Sequence, residues 1–153
     1  MALQESGRET HTSLARRVGL TPPAVLDRVR KLEERGVISG YHARLDPDSL
    51  GLELRVFIAV TLARHQENAI GSFLNAIATY PEIIGQYHLT GRFDFLLFGV
   101  FPDVGALEQF IAHKLTALPV IDRAETFLVL SGNHDGPLPV PQPGEIHEFP
   151  KRR

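Results

Sequence analysis

From Leu54 onward the hydrophobic period of the chain changes in one definite order, and few folds accept that order. Leu54, Val56, Ile58, Val60 and Leu62 alternate, which turns one face of a strand into a core. Ile70, Phe73, Leu74 and Ile77 follow at helical spacing, and Pro81 stops that helix. Two strands are then predicted over 83–90 and 93–101, hinged at Gly91-Arg92 as a tight hairpin. Val104, Leu107, Phe110 and Ile111 mark a second helix that Pro119 ends, and 121–130 reads as the last strand. The order β-α-β-β-α-β is that of the ferredoxin-like split βαβ unit, an antiparallel sheet with both helices on one face.

The front of the chain is patterned differently. Residues 8–20 predict a helix that Thr10, Thr12 or Ser13 can cap, with Leu14, Ala15 and Val18 inward and Arg16 and Arg17 outward. Gly19 ends it, because glycine takes the positive φ of a sharp turn without strain. Thr21 caps a second helix, Pro22 stands at its first position, and Val25, Val29 and Leu32 form its core face up to Gly36. Over 37–45, Tyr41, Ala43 and Leu45 alternate with His42 and Arg44, the pattern of a strand with one buried face. DPDSLG (46–51) is loop chemistry. The expected organisation is a (winged) helix-turn-helix at 1–45, a linker at 46–51, a ferredoxin-like domain at 52–131 and a Pro-rich tail at 132–153. The fold class is therefore α+β.

Two helices crossing near a right angle need a small residue where they touch. Ala15 supplies it, Gly19 makes the turn, and Val25 fills the space beneath the second helix. On that helix Ala24, Arg28, Lys31 and Arg35 form a stripe opposite the core. In such motifs the start of the second helix enters the major groove of double-stranded DNA and cations further along meet phosphates. Thr21, Pro22 and Ala24 are thus expected nearest base edges. Arg28, with its planar fork, suits a base or a phosphate, and Arg16, Arg17 and Lys31 are expected on the backbone. The competing interpretation is a solvated helix laced by Asp27–Lys31 and Arg30–Glu34 pairs.

Charge distribution agrees with the first interpretation. The net charge of the 153 residues is −2, which by itself disfavours nucleic acid. Up to Leu45, however, eight Lys and Arg face five acids, whereas 46–131 carries five basic and ten acidic side chains. The absence of cysteine excludes disulfides and thiolate metal sites. No apolar run is long enough for a membrane span, and the first residues lack the apolar region of a secretory signal, so a cytoplasmic protein is expected. The seven histidines show no helical i, i+4 pair, so neither a metal nor a cofactor is expected. No nucleophile–base constellation or phosphate-cradling glycine loop is visible, and no catalytic residue is assigned.

LQESGRETHTSLARRVGLTPPAVLDRVRKLEERGVISGYHARLDPDSLG, followed by the βαββαβ unit with its HLTGRFDFLL hairpin, resembles the Lrp/AsnC (feast/famine) transcription regulators over about residues 3–131. RVRKLEERGVISGY (28–41) and GRFDFLL (91–97) are the most diagnostic pieces. The resemblance implies a sequence-specific DNA-binding regulator and not an enzyme. It further implies homodimers that pair their sheets, often assembled into octamers, and a small effector, usually an amino acid, bound between dimers near the hairpin. Carried onto this chain, the effector residues are Leu89, Thr90, Gly91, Arg92, Phe93 and Asp94. Arg92 stands where the family commonly has an acid. Family members also usually begin with a further helix, of which Ala2-Leu3-Gln4-Glu5 resembles the end, so Leu14, Val18, Val25 and Val29 are expected to be partly exposed. Two alternatives share the architecture. One is a decarboxylase of sirohaem-type tetrapyrroles using His88, Arg92 and His113; the other is a sensing module without a DNA role.

Overall fold

A computed structural model describes residues 2–63 and 68–132. The chain divides into two compact units, one holding the described residues up to Arg44 and one spanning Leu45–Gly132. The tail expected from 132 lies, beyond Gly132, outside the described residues.

The first unit contains α1 (Ala2–Glu5), α2 (His11–Val18) and α3 (Pro22–Glu34). Of the three candidate caps on α2, Thr10 takes the position: its hydroxyl accepts from the Ser13 amide at 3.2 Å. Gly19, at φ 68°, closes the helix by donating its N–H to the Ala15 carbonyl. Thr21 and Pro22 begin α3 as expected, although the Thr21 side chain makes no cap bond. Leu14, Ala15, Val25 and Val29 form the core, with Ala2, Leu3, Leu20 and Ile38 packed against it.

Three expectations fail in this unit. Leu14, Val25 and Val29 are buried rather than partly exposed, because Ala2 and Leu3 of the short α1 help to cover them. Val18, placed on the inward face, does not join the core; it is half exposed, as the partial exposure expected of it allows, because α2 ends there, and Leu20 packs instead. Over 37–45 no strand forms. A strand needs a neighbour for its N–H and C=O groups, and among the described residues none lies alongside. Tyr41 and Leu45 are accordingly exposed, and the Tyr41 hydroxyl donates to Glu33 of α3 at 3.0 Å.

The second unit opens with a 3₁₀ turn, Asp48–Leu50, inside the DPDSLG segment, its Ser49 amide held by the Asp46 carboxylate at 3.1 Å. Then come β1 (Leu54–Leu62), α4 (Ala69–Ile77), β2 (Ile83–His88), β3 (Phe95–Phe101), α5 (Val104–Phe110), a π turn (Ile111–Leu115) and β4 (Ile121–Leu128). The strands pair in the order β2-β3-β1-β4, all antiparallel, which is the ferredoxin-like topology. Val56, Ile58, Val60 and Leu62 of β1 join Phe95, Leu97 and Phe101 of β3 under Phe73, Ile77, Leu107 and Phe110 from the helices.

Small departures have local causes. Ile70 and Val104 are exposed, both lying in first helical turns at the rim of the core. The strand over 121–130 stops at Leu128, and Leu130 stands in solvent. The hairpin over 83–101 is not a tight turn: β2 stops at His88 and β3 starts at Phe95, leaving 89–94 as a loop.

The sheet face away from the helices is also apolar. Phe57 and Phe98 stack there with ring centroids 4.9 Å apart, Ala59 and Val100 are buried beside them, and Tyr87 and Phe127 remain about half exposed at 56% and 48%. A strand that is apolar on both faces is normally covered on both.

Candidate nucleic-acid interface and effector loop

Helix α3 buries Val25 and Val29, which turns Arg28, Lys31 and Arg35 to solvent. The cations expected on DNA are not equivalent. Lys31 donates to Asp27 at 2.6 Å, and Arg30 to Glu34 at 2.8 Å, each one helical turn away. Arg17 is held by Glu5 of α1 and lies 3.6 Å from Glu9. Its guanidinium keeps the Glu5 carboxyl below the usual carboxylate range, through the hydrogen bond first and the charge second. Glu9 is itself fixed, accepting from the Ser13 hydroxyl at 2.8 Å. Among the described residues, Arg16 and Arg28 are exposed and form no ion pair. Thr21 and Pro22 are exposed at the start of α3, whereas Ala24 is half-buried beside the core. The structure thus brings Thr21, Pro22 and Arg28 onto the open side of α3 and ties Arg17 and Lys31 to neighbouring acids. The Asp27–Lys31 pair was legible from spacing. The Glu5–Arg17 pair was not, because it depends on how α1 lies against α2.

The second candidate site is the loop over 89–94, and its base is closed by three bonds. The Leu89 amide donates to the Asp94 carbonyl at 2.8 Å, and the Asp94 amide to the Val60 carbonyl of β1 at 2.9 Å. The Asp94 carboxylate accepts from the Leu62 amide at 2.8 Å. These contacts draw the loop across the end of β1, which is why a tight hairpin does not form. Gly91, at φ +126°, makes the tip possible. Thr90, Gly91 and Arg92 are exposed, while Phe93 and Asp94 are half-buried.

Arg92 reaches further. Its guanidinium lies 4.7 Å over the Phe93 ring and donates to Glu125 Oε1 of β4 at 2.7 Å. Arg123 contacts the same oxygen at 2.8 Å. Glu125 and Arg123 were missed by sequence reasoning, since 33 positions separate Arg92 from Glu125 and only the sheet order joins them. Upstream, His88 stacks on Phe95 with centroids 4.6 Å apart, while His113 belongs to the π turn. Among the described residues no group of His, Cys, Asp and Glu is arranged to hold a metal ion, and no helix is long and apolar enough to cross a membrane.

Comparison with known proteins agrees with this geometry. A family model described as the Lrp/AsnC ligand binding domain matches residues 55–137, and one described as winged helix-turn-helix DNA-binding matches residues 2–39. The leucine-responsive regulatory protein of Rhizobium meliloti is 38% identical over 128 residues, covering 84% of this chain and 82% of that protein. Among solved structures, a transcriptional regulator of Neisseria meningitidis in complex with L-methionine is 33% identical with a TM-score of 0.83, covering 90% of each chain. A feast or famine regulatory protein of M. tuberculosis complexed with L-methionine is 31% identical with a TM-score of 0.77, covering 90% of this chain and 92% of the other.

Proposed function

The chain belongs to the Lrp/AsnC family of DNA-binding transcriptional regulators, and from that premise we propose how its parts divide the work. Helix α3 enters the major groove of double-stranded DNA, with Thr21 and Pro22 near base edges and Arg28 on a base or phosphate. Arg16 holds the backbone. Lys31 adds a weaker contact, and Arg17 braces α1 against α2 rather than reaching the duplex. The observation that carries this reading is Arg28, without an ion-pair partner among the described residues, on a helix whose Arg30 and Lys31 are matched by acids. A cation without a protein partner gains most from releasing the counterions of a phosphate.

The effector is an amino acid held by Leu89, Thr90, Gly91, Arg92, Phe93 and Asp94, a reading supported by the L-methionine complexes of two relatives. The half-exposed Tyr87 and Phe127 beside the Phe57–Phe98 stack support a homodimer that covers the open sheet face. Dimers joined through the effector region would build the octamer, and the effector would act by binding one assembly state more tightly than another. Such a regulator works in the cytoplasm, where its DNA lies.

Gel retardation on DNA upstream of the chain's own gene tests the assignment. Arg28→Ala is expected to lose retention at moderate salt while keeping its circular dichroism, and unchanged retention would remove α3 from the interface. Sedimentation tests the dimer: Phe127→Lys is expected to shift the protein toward monomer.

A further inference from the structure

We infer that the leading edge of α3 selects thymine, its exposed rings of Pro22 and Pro23 packing on C5-methyl groups of the half-site; this rests on the reading of α3 as the helix in the major groove. Thr21, Pro22 and Pro23 stand exposed in a row, while Ala24 is half-buried and Val25 lies in the core. Proline has no backbone N–H, so α3 lacks the donors that the first two positions of a helix ordinarily turn outward. No charged side chain occurs over 21–26. The first is Asp27, and Lys31 donates to it at 2.6 Å. What faces the groove ahead of Asp27 is therefore two saturated rings and one hydroxyl, that of Thr21, which makes no cap bond.

Base edges in the major groove are polar with one exception. Guanine shows two acceptors, cytosine a donor and adenine one of each, whereas thymine adds a methyl to its single acceptor. A donor or acceptor pressed against a proline ring loses its water and gains no partner, which is unfavourable. A methyl in the same place leaves water for an apolar surface, which is favourable. Thr21 then has a role beside the rings, since a hydroxyl free of capping can donate to thymine O4. Phosphates fall to Arg16 and Arg28, because a helix that begins Pro-Pro cannot grip them through its first amides.

Copying the fragment upstream of the chain's own gene with deoxyuridine in place of thymidine removes every such methyl and keeps base pairing. Titrated at one moderate salt concentration, the full chain is expected to bind the uracil form more weakly, by about fourfold for each contacted methyl and about sixteenfold where a dimer covers two half-sites. P22S/P23S, changed at exposed positions and checked by circular dichroism, is expected to bind both forms alike. P23V, which restores an amide but stays apolar, is expected to keep most of the preference, and its loss there would overturn the apolar contact. Equal binding of the two forms by the unchanged chain would overturn the thymine assignment and leave α3 on the duplex. A preference that survives in P22S/P23S would mean that the methyls act through the shape of the duplex, which overturns it too. If neither form is retained, the reading of α3 fails and this inference falls with it.

Discussion

The two units of this protein are held together over different distances along the chain. Up to Arg44, four buried residues make the core, and the charges on α3 pair within one helical turn. In Leu45–Gly132, thirteen buried residues among those described, drawn from β1, β3, both helices, the π turn and Val120, form the core, and β4 adds the partly buried Ile121 and Ala124. There Asp94 bonds to a strand 32 positions earlier, and Arg92 to one 33 positions later. The small unit is therefore cheap to disturb and leaves cations facing outward, which suits a duplex of phosphates. The larger unit ties the 89–94 loop to β1 and β4, which suits the effector role proposed for that loop.

The sharpest way to test this contrast is to cut each core. Phe73, fully buried against Phe95 at 4.7 Å between centroids, is expected to cost about 3–5 kcal/mol as Phe73→Ala, read by urea unfolding of the second unit. Leu14→Ala is expected to cost about 2–5 kcal/mol. Because the core of the first unit holds four buried residues among those described, that loss is expected to melt it alone and abolish retention of DNA. Calorimetry showing one shared transition would mean that the units do not fold separately.

A smaller effect separates the cations of α3. Arg28→Ala is expected to weaken DNA binding by about 1–3 kcal/mol, and Lys31→Ala by less, because Asp27 already neutralises Lys31. Equal losses would show that the pairing seen in the free protein dissolves on the duplex. The smallest effect concerns α1. Glu5 is depressed below the usual carboxylate range by Arg17, so its contribution to stability is present above that range and is lost as pH falls through the depressed value. Arg17→Met is expected to flatten this acid limb in thermal melts from pH 5 to pH 2, with little change in the salt dependence of DNA binding. A changed salt slope would return Arg17 to the DNA interface.

Much of the fold was legible because it is written in short-range pattern. Ala15, Gly19 and Val25 announced the packing of α2 on α3 and the turn between them, and alternation from Leu54 to Leu62 marked β1 to the residue. Other features misled for a physical reason. Tyr41, Ala43 and Leu45 alternate like a strand, yet alternation describes a side-chain preference and not a hydrogen-bonding partner. Gly91-Arg92 looked like a two-residue turn because nothing near it revealed that the Asp94 amide would bond Val60.

By itself, then, the sequence determined the element order, the strand faces and the two helices with the residues they pack together, because helical and extended periods are properties of neighbouring residues. Only the tertiary structure decided which charges are free. Arg17 and Arg28 look alike along the chain, but one meets Glu5 and the other meets solvent; Arg92 meets Glu125 only because β4 pairs with β1. An ion pair needs two groups within a few ångströms, and chain separation says nothing of that distance until the backbone has folded.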